Sequence, residues 1–325
     1  MPELPEVEVL VQHLRPLILK KTIRGVQIYR AKVLAPTSAR AFHRCLLGAT
    51  FTGLDRRGKY LVFELRPHGG GSPLSLIGHL GMTGRMYLAR RGTVLPKHAA
   101  VVLRLGRADF VYEDPRYFGR LTLDSTALAR LGPEPLEDRF SVDYLGAALG
   151  RSTQAVKVKL LDQSLVAGVG NIYASEALFR AQISPRLSAR KLTARQVARL
   201  RREVRAVLRE AIRWGSTLPL HHGQASGGDG LFYFGRAANA LDFYEERLRV
   251  YDREGQPCER CGTVIRRLVQ AARSTFYCPR CQPDSQKQRM GRQNPSDSIT
   301  TKNKLTVTSV ADRLRVRLGS RVAQW

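Results

Sequence analysis

Met1-Pro2-Glu3-Leu4-Pro5-Glu6-Val7-Glu8-Val9-Leu10-Val11 opens the chain, and its reading sets the frame for the rest. Pro5 suits the first turn of a helix, Glu6 and Glu8 complement its positive end, and Val7, Leu10, Val11 and Leu14 share one apolar face. The spacing predicts a leading helix that needs a second layer to cover it. The same residues have chemical potential. Met1 precedes a small residue, and its removal leaves Pro2 with a free secondary amine, titrating near ~7.7–8.0 where a lysine titrates near ~10.4. Such an amine attacks an aldehyde-level carbon to give an iminium, an electron sink that favours elimination at the neighbouring carbon. Glu3 sits beside it as an acid or base.

The second layer follows at once. From about Thr22 to Leu123 short β-rich runs, among them Tyr60-Leu61-Val62-Phe63, Val101-Val102-Leu103 and Phe110-Val111-Tyr112, alternate with Gly, Pro, Asp and Arg. The pattern predicts a β-sandwich or barrel. Between the runs stand Lys59, His79 and Asp114-Pro115-Arg116-Tyr117-Phe118-Gly119-Arg120. Lys59 reads as a solvated turn residue or a ligand contact, and His79 as a structural histidine or a binding one. Met82 and Phe118 are core types, yet each sits in a Gly-containing loop near basic residues, where an apolar side chain can wedge into a base stack. Arg116 can then fill the space of a displaced base.

The character changes near Leu131-Gly132-Pro133-Glu134-Pro135-Leu136, which reads as a linker. Helical periodicity follows. Ser152 is expected to cap a helix carrying Val156, Leu160 and Leu161, and Thr193 a longer one with Val197, Leu200, Val204, Val207 and Leu208 inward. That longer helix carries Arg195, Arg199, Arg201, Arg202, Arg205 and Arg209 outward, a solvated face first and a phosphate contact second. Between them, Gly168-Val169-Gly170-Asn171 is either a phosphate-binding helix start, within reach of Lys157, or an ordinary capped turn. Residues 216–240 are rich in Gly, His and Ser and read as a mobile loop, a lid or a plain excursion.

Cys258-Glu259-Arg260-Cys261 and Cys278-Pro279-Arg280-Cys281 are separated by sixteen residues, the spacing of a four-thiolate structural zinc ribbon. Four sulfurs leave no position for water, so one Zn2+ is expected to fold a small hairpin and to take no part in catalysis. Redox or disulfide chemistry is the alternative. Lys and Arg outnumber Asp and Glu 54 to 27, a formal charge of +27, which points to a polyanion and first to nucleic acid. An anionic membrane is the weaker choice, because no apolar run has transmembrane length and no lipidation motif is present. The absence of a signal-peptide pattern adds the expectation of a cytoplasmic location. From Pro283 onward the chain is polar and basic and reads as a disordered tail.

Taken together, the motifs resemble the formamidopyrimidine-DNA glycosylase family within the wider Fpg/Nei group. The likeness rests on Met1 to Glu8, Gly58-Lys59-Tyr60, His79-Leu80-Gly81-Met82, Asp114 to Gly119, Asp162-Gln163, Gly168 to Ala174 and Arg273 to Cys281, in the family's order. The resemblance implies an α+β fold in parts: an N-terminal catalytic β-sandwich with leading helix (1–132), a linker (133–150), a helix-two-turn-helix domain with a lesion-capping loop (151–240), a zinc finger (241–282) and the basic tail (283–325). It implies a bifunctional base-excision-repair glycosylase and abasic-site lyase acting on oxidised purines in duplex DNA, as a monomer in the nucleoid. Pro2 attacks C1′, Glu3 assists base departure, and Lys59 and Arg273 complete the catalytic set. Met82, Arg116 and Phe118 fill and wedge the duplex, while His79, Lys157 and Asn171 grip the backbone. Cys258, Cys261, Cys278 and Cys281 hold the zinc. One departure stands out: after Gly215-Ser216-Thr217 the family's usual continuation gives way to Leu218-Pro219-Leu220-His221-His222-Gly223. This leaves open a Nei-like preference for oxidised pyrimidines, and a non-catalytic zinc-finger DNA-binding protein is a third reading.

Overall fold

The leading helix forms where its sequence periodicity places it, over Leu4–Ile18 (α1), with Pro5 in its first turn. The computed structural model describes residues 2–215 and 248–284. Met1, the loop over 216–240 and the tail beyond Asp284 therefore lie outside the described residues.

Two four-stranded antiparallel sheets follow α1. Strands Gly25–Ile28 (β1), Ala99–Arg104 (β6), Ala108–Glu113 (β7) and Arg85–Arg90 (β5) make one, in the order β1-β6-β7-β5. The other has Thr50–Arg57 (β2), Tyr60–Arg66 (β3), Leu74–His79 (β4) and Arg120–Thr122 (β8), in the order β2-β3-β4-β8. Phe51 and Phe63 meet edge to face at 5.9 Å, and Phe63 meets Phe110 of the opposite sheet at 5.6 Å. Such offset contacts suit the ring quadrupoles and bind the sheets through their inner faces. Val7, Leu10, Val11, Leu14 and Ile18 of α1 join this core, as does Phe42 from the short helix Ala39–Leu46 (α2).

The second core is helical. After a single turn at Thr126–Ala129 (α3), it is built by Val142–Gly150 (α4), Val156–Leu160 (α5), Asn171–Arg180 (α6) and Ala194–Gly215 (α7). The expected linker over 133–150 is therefore a spacer only in its first part. Ser141 Oγ accepts the Tyr144 N–H to cap α4, and Phe140, Leu145 and Leu149 are buried with the helices. Thr193 caps α7 in a reciprocal box: its hydroxyl accepts the Gln196 N–H while Gln196 Oε1 accepts the Thr193 N–H. Ser152 caps nothing, because α5 starts later, and its hydroxyl accepts the Gln154 N–H in a local turn. Leu4, one turn ahead of the residues that join the sandwich, belongs to this second core, so α1 serves both.

Arg266–Gln270 (β9) and Arg273–Tyr277 (β10) form the finger hairpin. Its small core holds Val250, Ile265 and Phe276 with Phe179 from α6.

Candidate nucleic-acid site and metal centre

The N-terminus of α1 meets the N-terminus of α6. The Leu4 N–H donates to the Gly168 carbonyl at 3.1 Å, and both Glu3 carboxylate oxygens face the start of α6. They accept N–H bonds from Gly170 at 2.8 Å, Ile172 at 2.9 Å and Tyr173 at 3.3 Å. A helix N-terminus carries unpaired N–H groups and a positive dipole end, and here an anion of the chain itself fills it. Of the stretch Gly168-Val169-Gly170-Asn171, open between a phosphate site and an ordinary turn, the Gly170 N–H is thus taken by Glu3, and the Gly168 N–H by Gln163 Oε1 at 2.9 Å. The glycines have another reason. A Cβ on Gly170 would lie 2.3 Å from the Glu3 carboxyl carbon, and one on Gly168, at φ +83°, 2.7 Å from the Leu4 side chain.

Glu6 completes the junction. Fully buried, it accepts the Glu3 N–H at 2.7 Å and the Tyr173 hydroxyl. Burial, with the neighbouring Glu3 charge second, pushes its carboxyl up to about 7. Pro2, which precedes Glu3 in the chain, is buried as well.

Cations surround the pair. Lys59 sits in the β2–β3 turn, 8 % exposed, and burial lowers its ammonium pKa while Glu3 works against that shift and Arg273 adds to it. Its turn is fixed by Glu134, whose carboxylate accepts from the Gly58 N–H at 2.6 Å, Arg57 at 2.9 Å and Arg56 at 2.7 Å. Arg273 stands exposed at the start of β10. Lys157, expected to reach phosphate directly, is instead 0 % exposed. Its Nζ donates to Asn171 Oδ1 at 2.5 Å, Thr275 Oγ1 at 2.7 Å and the Ser274 carbonyl at 3.1 Å. Asn171 Nδ2 donates to the same carbonyl at 2.9 Å. The two residues therefore clasp the finger to the helical core. Burial first brings Lys157 down to about 8; Glu3 opposes this shift and Arg273 reinforces it.

Two adjacent loops of the sandwich carry the other expected contacts. Met82 is 45 % exposed and Phe118 54 % exposed, unusual for such apolar groups. The exposed Arg116 lies over the Phe118 ring at 5.0 Å. A residue of the Asp114 to Gly119 motif that the sequence gives no role of its own joins the loops: buried Asp114 accepts the Thr83 hydroxyl at 2.6 Å, the Arg116 N–H at 3.1 Å and the Gly119 N–H at 2.8 Å. Gly81, at φ +61°, backs directly onto Gly119, whose nitrogen is 2.6 Å from where a Gly81 Cβ would lie. The His79 ring lies 4.7 Å from that of Tyr60, tilted by 43°, and burial, then Lys59 and Arg120, bring its pKa down to about 4. Its Nδ1 accepts the Gly81 N–H at 3.1 Å. It is thus a neutral imidazole with its proton on Nε2, a hydrogen-bond donor and no cation.

Glu176 is a further acid whose partner has no sequence signature. Buried in α6, it accepts the N–H groups of Arg249, Val250 and Tyr251 at 2.9–3.1 Å, and so anchors the strand of chain that leads into the finger.

The four finger cysteines are free thiols, and their sulfurs all lie within 4.8 Å of one another. Cys261 is 3.5 Å from both Cys278 and Cys281, and Cys258 is 3.9 Å from Cys281. A tetrahedral Zn2+ with Zn–S near 2.3 Å requires S–S edges of about 3.8 Å. The residues present fit one structural zinc ion, and its effect would be to hold the hairpin that carries Arg273.

Three family models match the chain: the formamidopyrimidine-DNA glycosylase N-terminal domain over residues 1–121, the formamidopyrimidine-DNA glycosylase H2TH domain over 131–220, and the zinc finger found in FPG and IleRS over 255–283. The formamidopyrimidine-DNA glycosylase of Desulfitobacterium hafniense is 40% identical over 289 residues, covering 87% of this chain and 100% of the relative. That of Symbiobacterium thermophilum is 40% identical over 292 residues, covering 87% and 90%. Among solved structures, Lactococcus lactis Fpg bound to DNA containing an AP site superposes with TM-score 0.74 at 30% identity, over 86% of this chain and 99% of that one. MutM in complex with carbocyclic 8-oxo-G containing DNA gives TM-score 0.74 at 31% identity, over 87% and 100%.

Proposed function

Since the chain belongs to the formamidopyrimidine-DNA glycosylase family, we propose that it excises oxidised purines from duplex DNA and then cleaves the abasic strand, with Pro2 as nucleophile. The observation that carries this reading is the junction where Glu3, which follows the buried Pro2, is seated on the start of α6, with the charges of Lys59, Glu3 and Arg273 close enough to act on one another. A binding protein needs no buried amine-bearing terminus next to two carboxyl groups.

The chemistry follows from the groups present. A base inside a duplex is out of reach and must be extruded, at a cost of a few kcal/mol that is least at damaged pairs. Phe118 wedges the stack, and Met82 and Arg116 occupy the vacated space. With Met1 removed, the Pro2 nitrogen attacks C1′ and the base leaves with its bonding electrons, protonated on departure. Loss of the proton on the Pro2 nitrogen and cleavage of the C1′–O4′ bond, with O4′ taking up a proton, turn the resulting aminal into an iminium; this acidifies the neighbouring C2′ hydrogen, and successive β- and δ-elimination expel the two phosphates. Glu3 shares its surroundings with Glu6, whose carboxyl near 7 can hold or release a proton at neutral pH. Lys59, with its pKa lowered by burial, is suited to proton transfer as well as phosphate contact. Lys157 and Asn171 act on the backbone indirectly, by holding the finger so that Arg273 faces it.

Among the described residues no helix is long and apolar enough to cross a membrane. The formal charge of +27 supports DNA as the partner, and the reading is of a monomer working on nucleoid DNA in the cytoplasm. Lactococcus lactis Fpg has also been solved with DNA containing an oxidised pyrimidine, which favours keeping pyrimidine lesions as a second substrate class.

Borohydride reduction during turnover of an 8-oxoguanine duplex should trap the Met1-processed protein covalently on DNA, and Pro2→Gly should lose both adduct and nicking while still binding. Absence of an adduct with the processed protein overturns the Pro2 mechanism. Faster excision of thymine glycol than of 8-oxoguanine moves the chain to the pyrimidine reading.

A further inference from the structure

The longest helix, α7, has a face that the catalytic reading leaves unused. Its exposed residues are Ala194, Arg195, Ala198, Arg202, Arg209 and Arg213, so arginine and alanine alone meet solvent fully. At 3.6 residues per turn, Arg195, Arg202, Arg209 and Arg213 fall within a sector of about 40° and span about 27 Å along the axis. Arg205 lies beside this line, half-buried, donating to the Glu137 carbonyl at 2.8 Å. The core side chains Val197, Leu200, Val204, Val207 and Leu208 centre about 180° from the arginines by the same geometry. The line therefore points directly away from the helical core, and away from α6, which packs on the inner side and whose N-terminus carries the site.

Little on the helix offsets this charge. Glu203 pairs with Arg202 at 2.9 Å, while Glu210 is engaged by Arg180 of α6 at 2.7 Å. Among the described residues Arg195 and Arg209 have no acidic partner. Like charges one and two turns apart repel and weaken a helix, and solubility alone is served as well by mixed signs. Ala198, between Arg195 and Arg202 along the axis, and Ala194 at the start of the helix keep the surface low beside the guanidinium groups, so a phosphate backbone can approach closely.

We propose that this arginine line is a second binding surface for duplex DNA, contacting the phosphates of a segment other than the one in the catalytic cleft. Each guanidinium matches a phosphate in geometry and charge, and the contact carries no sequence information. Holding two segments at once lets the protein pass between neighbouring duplexes without entering free solution.

The test uses the full chain and two short lesion-free duplexes with donor and acceptor dyes, at about 0.1 M salt. Wild-type protein should bring the two together, and its second binding step should fall with salt with a log–log slope of about −0.9 per phosphate contact, about −3 to −4 for this line. The triple variant Arg195→Gln/Arg202→Gln/Arg209→Gln should weaken the second step about tenfold or more, and the matching Arg→Lys variant should restore most of it. Nicking of a lesion duplex should be unchanged in both variants, which also reports that they fold. A single duplex bound per wild-type molecule, or an equal second step in the Gln variant, overturns the proposal. So does displacement of the second duplex by polyglutamate at lower charge concentration than by competitor DNA, which assigns the face to an acidic protein. Borohydride trapping reports on the cleft alone, so failure there and failure here are separable.

Discussion

Asp114 shows how much one side chain can organise. Its two oxygens receive donors from the Met82 loop and from both ends of the Arg116 to Phe118 segment, so the groups that probe the duplex are positioned together. Asp114→Asn keeps the volume but turns an amide N–H2 toward a donor, leaving a buried group unsatisfied at a cost of about 1–3 kcal/mol. Excision of an intact base from duplex DNA should fall by one to two orders of magnitude, roughly that energy, while strand cleavage at a preformed abasic site should be nearly kept, because no stacked base has to be displaced. A comparable loss on both substrates would make Asp114 a general structural residue. Glu6 allows a second test. Its folded-state carboxyl near 7 lies above the ordinary 4.5, so the folded protein holds the extra proton across that window. Stability from this group is complete below about 4.5 and is lost as pH rises through about 7. Glu6→Gln removes the titration; the melting temperature of wild type relative to the variant should drop between about pH 5 and pH 8, and a constant difference would refute the assignment. At this scale the cysteine cluster is legible, because its chemistry is local and its spacing is written in the chain. The roles of Glu134 and Glu176 are not legible, because acids that bind backbone amides more than seventy residues away leave no pattern in the chain, and the motif around Asp114 shows which residues stand together without showing which group holds them.

Helix and strand periodicities were legible for the same reason that they form: α7 and a strand such as β3 bury one face, and the alternation records it, while β6 and β7 are buried on both faces and read as continuous apolar runs. Cap positions were less so. Thr193 was found because its box partner Gln196 is three residues on, whereas α5 begins at Val156 under tertiary control, its first N–H donating to the Leu187 carbonyl. The seat of Glu3 on the α6 start is likewise invisible at this scale, since nothing local reveals that Glu3 arrives from 167 residues away. The finger hairpin supplies the prediction. Its turn places Ala271 at φ 47° and Ala272 at φ 58°, the left-handed region that costs a residue with a Cβ about 1 kcal/mol or more. Asn-Gly is the pair that such a two-residue turn prefers. Ala271→Asn/Ala272→Gly should raise finger stability by about 1 kcal/mol, read as slower release of zinc to a chelator. Faster release would show that the turn has another geometry in solution.

Across the whole molecule, the parts are held by bonds that double as site geometry. The finger's own apolar core is small, so metal and clasp must maintain it. Stripping the zinc should abolish binding of a lesion duplex yet leave the main thermal transition of the sandwich in place, measured by calorimetry with and without chelator; loss of that transition would mean that the finger supports the entire fold. The boundaries between parts were the least legible feature, since a linker by composition proved to contain α4 and its buried leucines. The double membership of α1 has a consequence of its own. Leu4 lies in one core and Val7 to Ile18 in the other, so no cut in the chain yields two pieces that each keep their interior. Genetic shuffling of the sandwich onto a different helical partner would bring a foreign Leu4 and a foreign carboxylate to the start of α6. The two halves are therefore constrained to evolve as a matched pair, inherited together through the first six residues.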